Sequence, residues 1–322
     1  MLNANEVDDA GRKYLFIVGT GRCGSTLVQE LIARHRQVGF ISNVDSTLGA
    51  FDPKGRANRF LYGSTPSGLG RRDRSYLKSL RFTLGERVHF GPSEAYKIIR
   101  RQIGPTISEP FRDLTEADVT PWLAARFRSF FEERAEAQDA RVFMHKFTGW
   151  PRARFIDAVM PNARFLHIVR DGRAVASSIV QRPWWKGYLG VPGWGFGELP
   201  DDLREMWERH DRSLIVLAGL EWRILMDAFD ATAAAIEGDR WLELRYEDIV
   251  ADPRGHWDRI LHHAGLPWDP EFEAAFQQYP VATSRRQAFR RDLTEAQVAQ
   301  LEDVIGDHLQ ARGYGLGASE ED

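Results

Sequence analysis

Residues 19–26, GTGRCGST, constrain the fold more than any other stretch of this chain. The run before them, KYLFIVG (13–19), is aromatic and β-branched and reads as a buried strand. The run after them, STLVQELIARHR (25–36), spaces Leu27, Leu31 and Ile32 at helical intervals. A strand that passes through a glycine-rich turn into a helix gathers backbone N–H groups and the positive end of the helix dipole at one point. That point is an anion site. Gly21 and Gly24 permit close backbone approach, Arg22 can fork two donors onto phosphate oxygens, and the hydroxyls of Ser25 and Thr26 reach the same group.

The rest of the chain repeats the strand-then-helix pattern. RVFMHKF (141–147) and ARFLHIVR (163–170) read as strands. Helices are predicted at PRARFIDAV (151–159), with proline first, and at DGRAVASSIVQR (171–182), with Asp171 as cap. A long helical stretch follows from Leu203 to Ile236, then a fourth strand, RWLELRYEDI (240–249). A last helix (294–313) runs from Thr294 as N-cap to Gly313 as C-cap. This alternation predicts an α/β fold: a three-layer sandwich with a central, mainly parallel sheet. Ligands in such sheets bind beyond the C-terminal strand ends, which aligns Gly19–Thr26, the 145–150 loop and Arg170 along one edge. Residues 42–120 break the rhythm with Gly, Pro and Ser. They are either a surface excursion with short helices or a lid over an acceptor, inside a single domain spanning 1–322.

Composition excludes several classes. The chain is 43% apolar and 28% charged, which suits a folded globular protein rather than a disordered one. A net charge of -3 provides no basic field for nucleic acid. The opening residues are polar and acidic, no apolar run reaches membrane-spanning length, and Cys23 is the sole cysteine. A cytoplasmic protein with no membrane span is expected. The nine histidines form no metal-ligand pattern, since His262 and His263 are adjacent, so no metal is expected.

The 19–26 loop has the skeleton of a P-loop, G-x-x-x-x-G-K-[ST], with Ser25 where the lysine belongs. Nucleotide kinases use that lysine on the β and γ phosphates, with Mg²⁺ on the hydroxyl and on a second acidic strand, for which there is no clear aspartate here. A phosphotransferase remains an alternative, as does a non-catalytic nucleotide-binding protein of the same fold. Paired with ARFLHIVRDGRAVASSIVQR (163–182), however, the loop resembles the nucleotide signatures of sulfotransferases that use 3′-phosphoadenosine 5′-phosphosulfate (PAPS). LRYEDIVADPRGHWDRILHHAGLP (244–267) and the stretch 283–315 are similar to further segments of that family. The resemblance implies a P-loop-like fold, PAPS as co-substrate, adenosine 3′,5′-bisphosphate as product and no metal. It implies that Gly21, Arg22, Cys23, Gly24, Ser25 and Thr26 cradle the 5′ phosphosulfate, with Cys23 as packing. Arg170 and Ser178, eight residues on, hold the 3′ phosphate, and Arg285 and Arg286 close over it, with Arg290 and Arg291 as further candidates.

For catalysis the resemblance implies Arg22 at the leaving phosphate and Lys146, 24 residues before Arg170, as a second cation. The family's cytosolic members carry a histidine two residues after that lysine; here the position is Thr148, which cannot act as base. His145 points away from Lys146 on a strand and is expected to be structural. Other branches place a carboxylate after the first helix, which Asp45 matches best, with Asp52, Glu94 and Glu109 as alternatives. The segment QRPWWKGYLGVPGWGFGELP (181–200) offers Trp184, Trp185, Tyr188 and Trp194, either as core or as the wall of a pocket. A pocket of that kind suits a small apolar or aromatic alcohol or amine; oligomeric state is open, a homodimer included.

Overall fold

The computed structural model describes residues 11–47, 53–63, 91–278 and 288–317. Among these, five strands form one sheet: β1 (Lys13–Gly19), β2 (Val38–Phe40), β3 (Val142–Thr148), β4 (Ala163–Val169) and β5 (Trp241–Arg245). Their order is β2-β3-β1-β4-β5, and every pairing is parallel. The first half carries α1 (Ser25–Ile32), α2 (Asn43–Thr47), α3 (Asn58–Gly63), α4 (Tyr96–Gln102), α5 (Pro105–Ser108) and α6 (Pro121–Ala137). The second carries α7 (Ala153–Val159), α8 (Gly172–Val180), α9 (Val191–Trp194), α10 (Asp201–Arg209) and α11 (Leu214–Ala235). After β5 come α12 (Tyr246–Ala251), α13 (Pro253–Ala264), α14 (Pro270–Gln278), α15 (Phe289–Asp292) and α16 (Glu295–Ala311).

The two-residue period of a strand sorts the core into two layers. From β1, Tyr14, Phe16 and Val18 enter a cluster with residues of α6, α7, α8, α11 and α16, while Leu15 and Ile17 enter one with residues of α1, α12 and α13. Helices therefore cover both faces of the expected three-layer sandwich. Phe16 sits at the centre of the first layer, with the rings of Phe131, Phe147 and Phe165 at 5.3, 6.1 and 6.1 Å. No described helix is long and apolar enough to cross a membrane.

Several boundaries differ from the sequence expectation, each for a local reason. β2 has only three residues, too few for a periodic signal. α1 stops at Ile32 because His35 turns inward, accepting from Gln37 N and meeting Pro267 O at 3.1 and 3.0 Å. Pro151 does not open α7; Arg152 takes a left-handed conformation (φ 56°) as N-cap and the helix starts at Ala153. The stretch 203–236 splits into α10 and α11 where Asp211 and Arg212 turn left-handed. β5 ends at Arg245, so Tyr246 opens a helix instead of extending the strand. α16 has the expected cap, a reciprocal Thr294–Gln297 box. The described parts of 42–120 are short helices, yet Ile98, Ile99, Ile103 and Ile107 are buried core residues, so the segment is more than a surface excursion.

Glu221 of α11 is buried, and Trp185 donates its indole N–H to Glu221 Oε2 at 2.9 Å. Burial pushes this carboxyl up to about 8 from an ordinary 4.5. Between those values the folded chain binds more protons than the unfolded one, so this group lowers stability as pH rises through the window. Glu221→Gln, which keeps an acceptor for Trp185, is expected to match the native protein at about pH 5 and to exceed it above about pH 8. Urea midpoints at the two pH values check this; an offset independent of pH would contradict it.

Candidate active site

Between Gly19 and Ser25 the chain passes through three left-handed residues, Gly21 (φ 81°), Arg22 (φ 56°) and Gly24 (φ 95°). Arg22 is a non-glycine residue in a costly conformation, of the kind that collects at ligand sites. Gly24 is the N-cap of α1, no side chain caps this helix, and its first turn has no acidic residue. The helix start thus offers N–H groups and a positive dipole end with no internal anion. Gly24 must also be glycine for space: a Cβ there would come within 2.2 Å of the Tyr246 ring. Cys23 is fully buried and its sulfur packs against Gly19. Ser25 is buried, while Thr26 is exposed.

The β4 end meets this loop. Arg22 Nε donates to Ser178 Oγ at 2.9 Å, and the Arg170 guanidinium donates to the Arg22 carbonyl at 3.0 Å. Arg170 also lies 4.9 Å from the centre of the Tyr246 ring. Asp171 caps α8, accepting from the Arg173 amide at 2.8 Å, and the Arg173 side chain ties Asp171 to Glu302 of α16. Arg285 and Arg286 lie outside the described residues. Just after them, Phe289 of α15 packs against the Arg173 guanidinium at 4.8 Å, and Arg290 and Arg291 are exposed.

Lys146 occupies the centre. Its buried ammonium donates to Thr26 Oγ1 at 3.0 Å and pairs with Glu94 Oε1 at 2.9 Å. Asp45 is committed elsewhere: its Oδ2 accepts from Ser42 N, Ser42 Oγ and Asn58 Nδ2 at 2.8, 2.7 and 2.6 Å, which caps α2 and fastens it to α3. Glu109 pairs with Arg100 at the surface, and Asp52 lies outside the described residues. Thr148 is half-buried beside Gly21, and its amide donates to Tyr96 Oη at 3.1 Å. His145 points to the opposite layer, 5.4 and 4.6 Å from the rings of Phe131 and Phe147, and burial holds it down at about 3, so it is neutral.

The four aromatic residues of 181–200 divide. Trp185 is buried against Glu221, while Trp184 and Tyr188 are exposed. Trp194 is buried, donates to Gly197 O at 2.7 Å and lines an open cleft of about 870 Å³. Phe111, Val191 and Pro192 add apolar surface to the cleft, and Glu109, Lys186, Glu198 and Arg204 add charge. Phe196 connects this segment to the β3 exit, 5.8 Å from Trp150. Two residues of the site escaped sequence reasoning. Tyr246 stands in the recognised YED segment, and Tyr96 two positions after a named carboxylate, but nothing in the spacing foretold that either ring would pack on a loop.

The family model described as the sulfotransferase family matches residues 15–270. Omega-hydroxy-beta-dihydromenaquinone-9 sulfotransferase Stf3 of Mycobacterium bovis and of Mycobacterium tuberculosis is 23% identical over 219 residues, 65% of this chain and 51% of theirs. The chain therefore spans about half the length of these curated relatives. Among solved structures, sulfotransferase STF9 from Mycobacterium avium aligns over 97% of this chain and 80% of its own with a TM-score of 0.58 at 16% identity. The sulfotransferase domain from the curacin biosynthetic pathway aligns over 95% and 99% with a TM-score of 0.53 at 15% identity. At these identities the structures speak for the fold, and the family model for descent: the chain belongs to the sulfotransferase family.

Proposed function

We propose that the chain transfers a sulfuryl group from PAPS to the hydroxyl of a small apolar molecule. The observation that carries this reading is the buried ammonium of Lys146, held between a hydroxyl of the phosphate loop and a carboxylate. The residues fit PAPS. An uncapped helix start and a left-handed loop that lacks the P-loop lysine suit a 5′ phosphate with no β or γ phosphate beyond it. A kinase needs that lysine, and the position is Ser25.

PAPS supplies an activated sulfuryl group and adenosine 3′,5′-bisphosphate as leaving group. The chain does the rest. Amides and hydroxyls of Gly21–Thr26 bind the 5′ phosphate, and Arg170 with Ser178 binds the 3′ phosphate. Arg22 and Lys146 supply positive charge where negative charge develops on the leaving oxygen. Glu94, beside Lys146, accepts the proton of the attacking hydroxyl. The cleft at Phe111 and Trp194 receives the apolar body of the acceptor. The curated relatives are named for an omega-hydroxylated dihydromenaquinone, which supports an apolar alcohol, and hence a sulfate ester, as the product class here.

Three substitutions test the roles. Arg170→Ala is expected to weaken adenosine 3′,5′-bisphosphate by roughly 10- to 100-fold while leaving AMP nearly unchanged, since a charge-assisted contact is lost from one ligand only. Calorimetry decides; equal losses would remove Arg170 from the 3′ site. Glu94→Gln is expected to lower turnover by about 10²- to 10⁴-fold with bisphosphate affinity intact, and Asp45→Asn to act chiefly on stability. Turnover lost in Asp45→Asn but not in Glu94→Gln would return the base to Asp45.

A further inference from the structure

Thr148 stands where cytosolic members of the family carry a histidine, and its contacts define a clasp. Tyr96 Oη accepts from the Thr148 amide at 3.1 Å and lies 3.3 Å from both Thr148 O and Thr148 Oγ1. A phenol hydroxyl has one proton to give, so it donates to one of these oxygens while accepting the amide. Two residues earlier on each side, Glu94 meets Lys146 at 2.9 Å. Lys146 and Thr148 share one face of β3, and Glu94 and Tyr96 flank the start of α4, so the contacts form adjacent rungs. Ala95 between them is buried and left-handed (φ 52°), a costly state for a residue with a Cβ.

The surroundings hold this geometry from both sides. Ahead of Glu94, the Ser93 amide donates to Ile41 O at 2.9 Å, and Gln29 of α1 donates to Ser93 O at 3.3 Å. Behind it, the buried guanidinium of Arg152 donates to Thr148 O at 3.2 Å, Trp150 O at 2.6 Å and Ile107 O at 2.8 Å, which stiffens the β3 exit that Tyr96 grips. Burial and the nearby Glu94 carboxylate both raise the Tyr96 phenol, which keeps its proton. Glu94 is thus suspended between an anchor at Ser93 and an anchor at Tyr96.

We propose that Tyr96 is a positioning residue: by docking its hydroxyl on the backbone of Thr148, it holds Glu94 against Lys146. This rests on the reading of Glu94 as proton acceptor. The strand position that holds a histidine in cytosolic members here secures the helix that presents the carboxylate.

The test is the acetylation rate of Lys146 by an N-hydroxysuccinimide ester, read by peptide mass spectrometry. Native protein, Tyr96→Phe, Glu94→Gln and the double variant are compared, with turnover of PAPS and bisphosphate affinity measured alongside. Phenylalanine keeps the ring and removes only the oxygen. The expected result is labelling of Lys146 faster by roughly tenfold in each single variant, the cost of one lost contact, and no faster in the double variant. Turnover falls in Tyr96→Phe, while bisphosphate affinity and thermal midpoint stay close to native. Native labelling in Tyr96→Phe with fast labelling in Glu94→Gln would overturn the clasp and leave the Glu94–Lys146 pair standing. Native labelling in both would overturn the pair itself. A fall in bisphosphate affinity and midpoint together with faster labelling would show Tyr96 to be a general structural residue and would also overturn the proposal.

Discussion

Parallel pairing of β1 with β3, in the register that sets Gly19 opposite Thr148, determines everything at this edge of the molecule. It brings the phosphate loop level with the end of β3, so Lys146 stands two residues before that end and reaches forward to Thr26. The same sheet places β4 on the other side of β1, and Arg170 emerges where it can bind the backbone of Arg22. Three separate segments thereby converge without any of them being near another in sequence. A one-residue slip would turn Lys146 into the phenylalanine layer and His145 toward the loop.

Several buried charges around this edge are matched. Lys146 has Glu94, Arg173 has Asp171 and Glu302, and Arg152 spends its donors on backbone carbonyls. Each pairing also joins elements distant in the chain, so the desolvation of these groups is offset while the loops are held in place. The second pairing ties α8 to α16, the helix that follows the Arg285–Arg286 segment. The third ties the β3 exit to the 105–108 turn. The irregular excursion therefore reaches the candidate site through the Glu94–Lys146 pair and the core through its isoleucines.

The sheet and the phosphate loop were legible in the sequence because strand–glycine–helix patterns are local, and the strand periodicity of β1, β3 and β4 is strong. β2 was not legible, being three residues long, nor was the break between α10 and α11, which depends on two left-handed residues with no glycine to mark it. Within the candidate site, Arg22, Lys146, Arg170 and Ser178 were named from the family resemblance, and hydrogen bonds bring Arg22, Arg170 and Ser178 together and Lys146 to the same loop. The proposed preference for Glu94 over Asp45 and Glu109 was not legible there, because it turns on which side chains a tertiary contact consumes. Asp45 looked best by its distance from α1, but Ser42 and Asn58 supply three donors to one of its oxygens. The aromatic segment was no more legible: its four rings could not be told apart from sequence, and packing buries Trp185 and Trp194 while exposing Trp184 and Tyr188.

The proposed function requires this loop to hold a 5′ phosphate in a nucleotide that also carries a 3′ phosphate, without a metal-bound triphosphate. Calorimetric titration with adenosine 3′,5′-bisphosphate, ADP and AMP, each with and without Mg²⁺, tests it most directly. Tight binding of the bisphosphate, by at least about tenfold over ADP and with no effect of Mg²⁺, is expected. Preference for ADP, or binding that requires Mg²⁺, would contradict it.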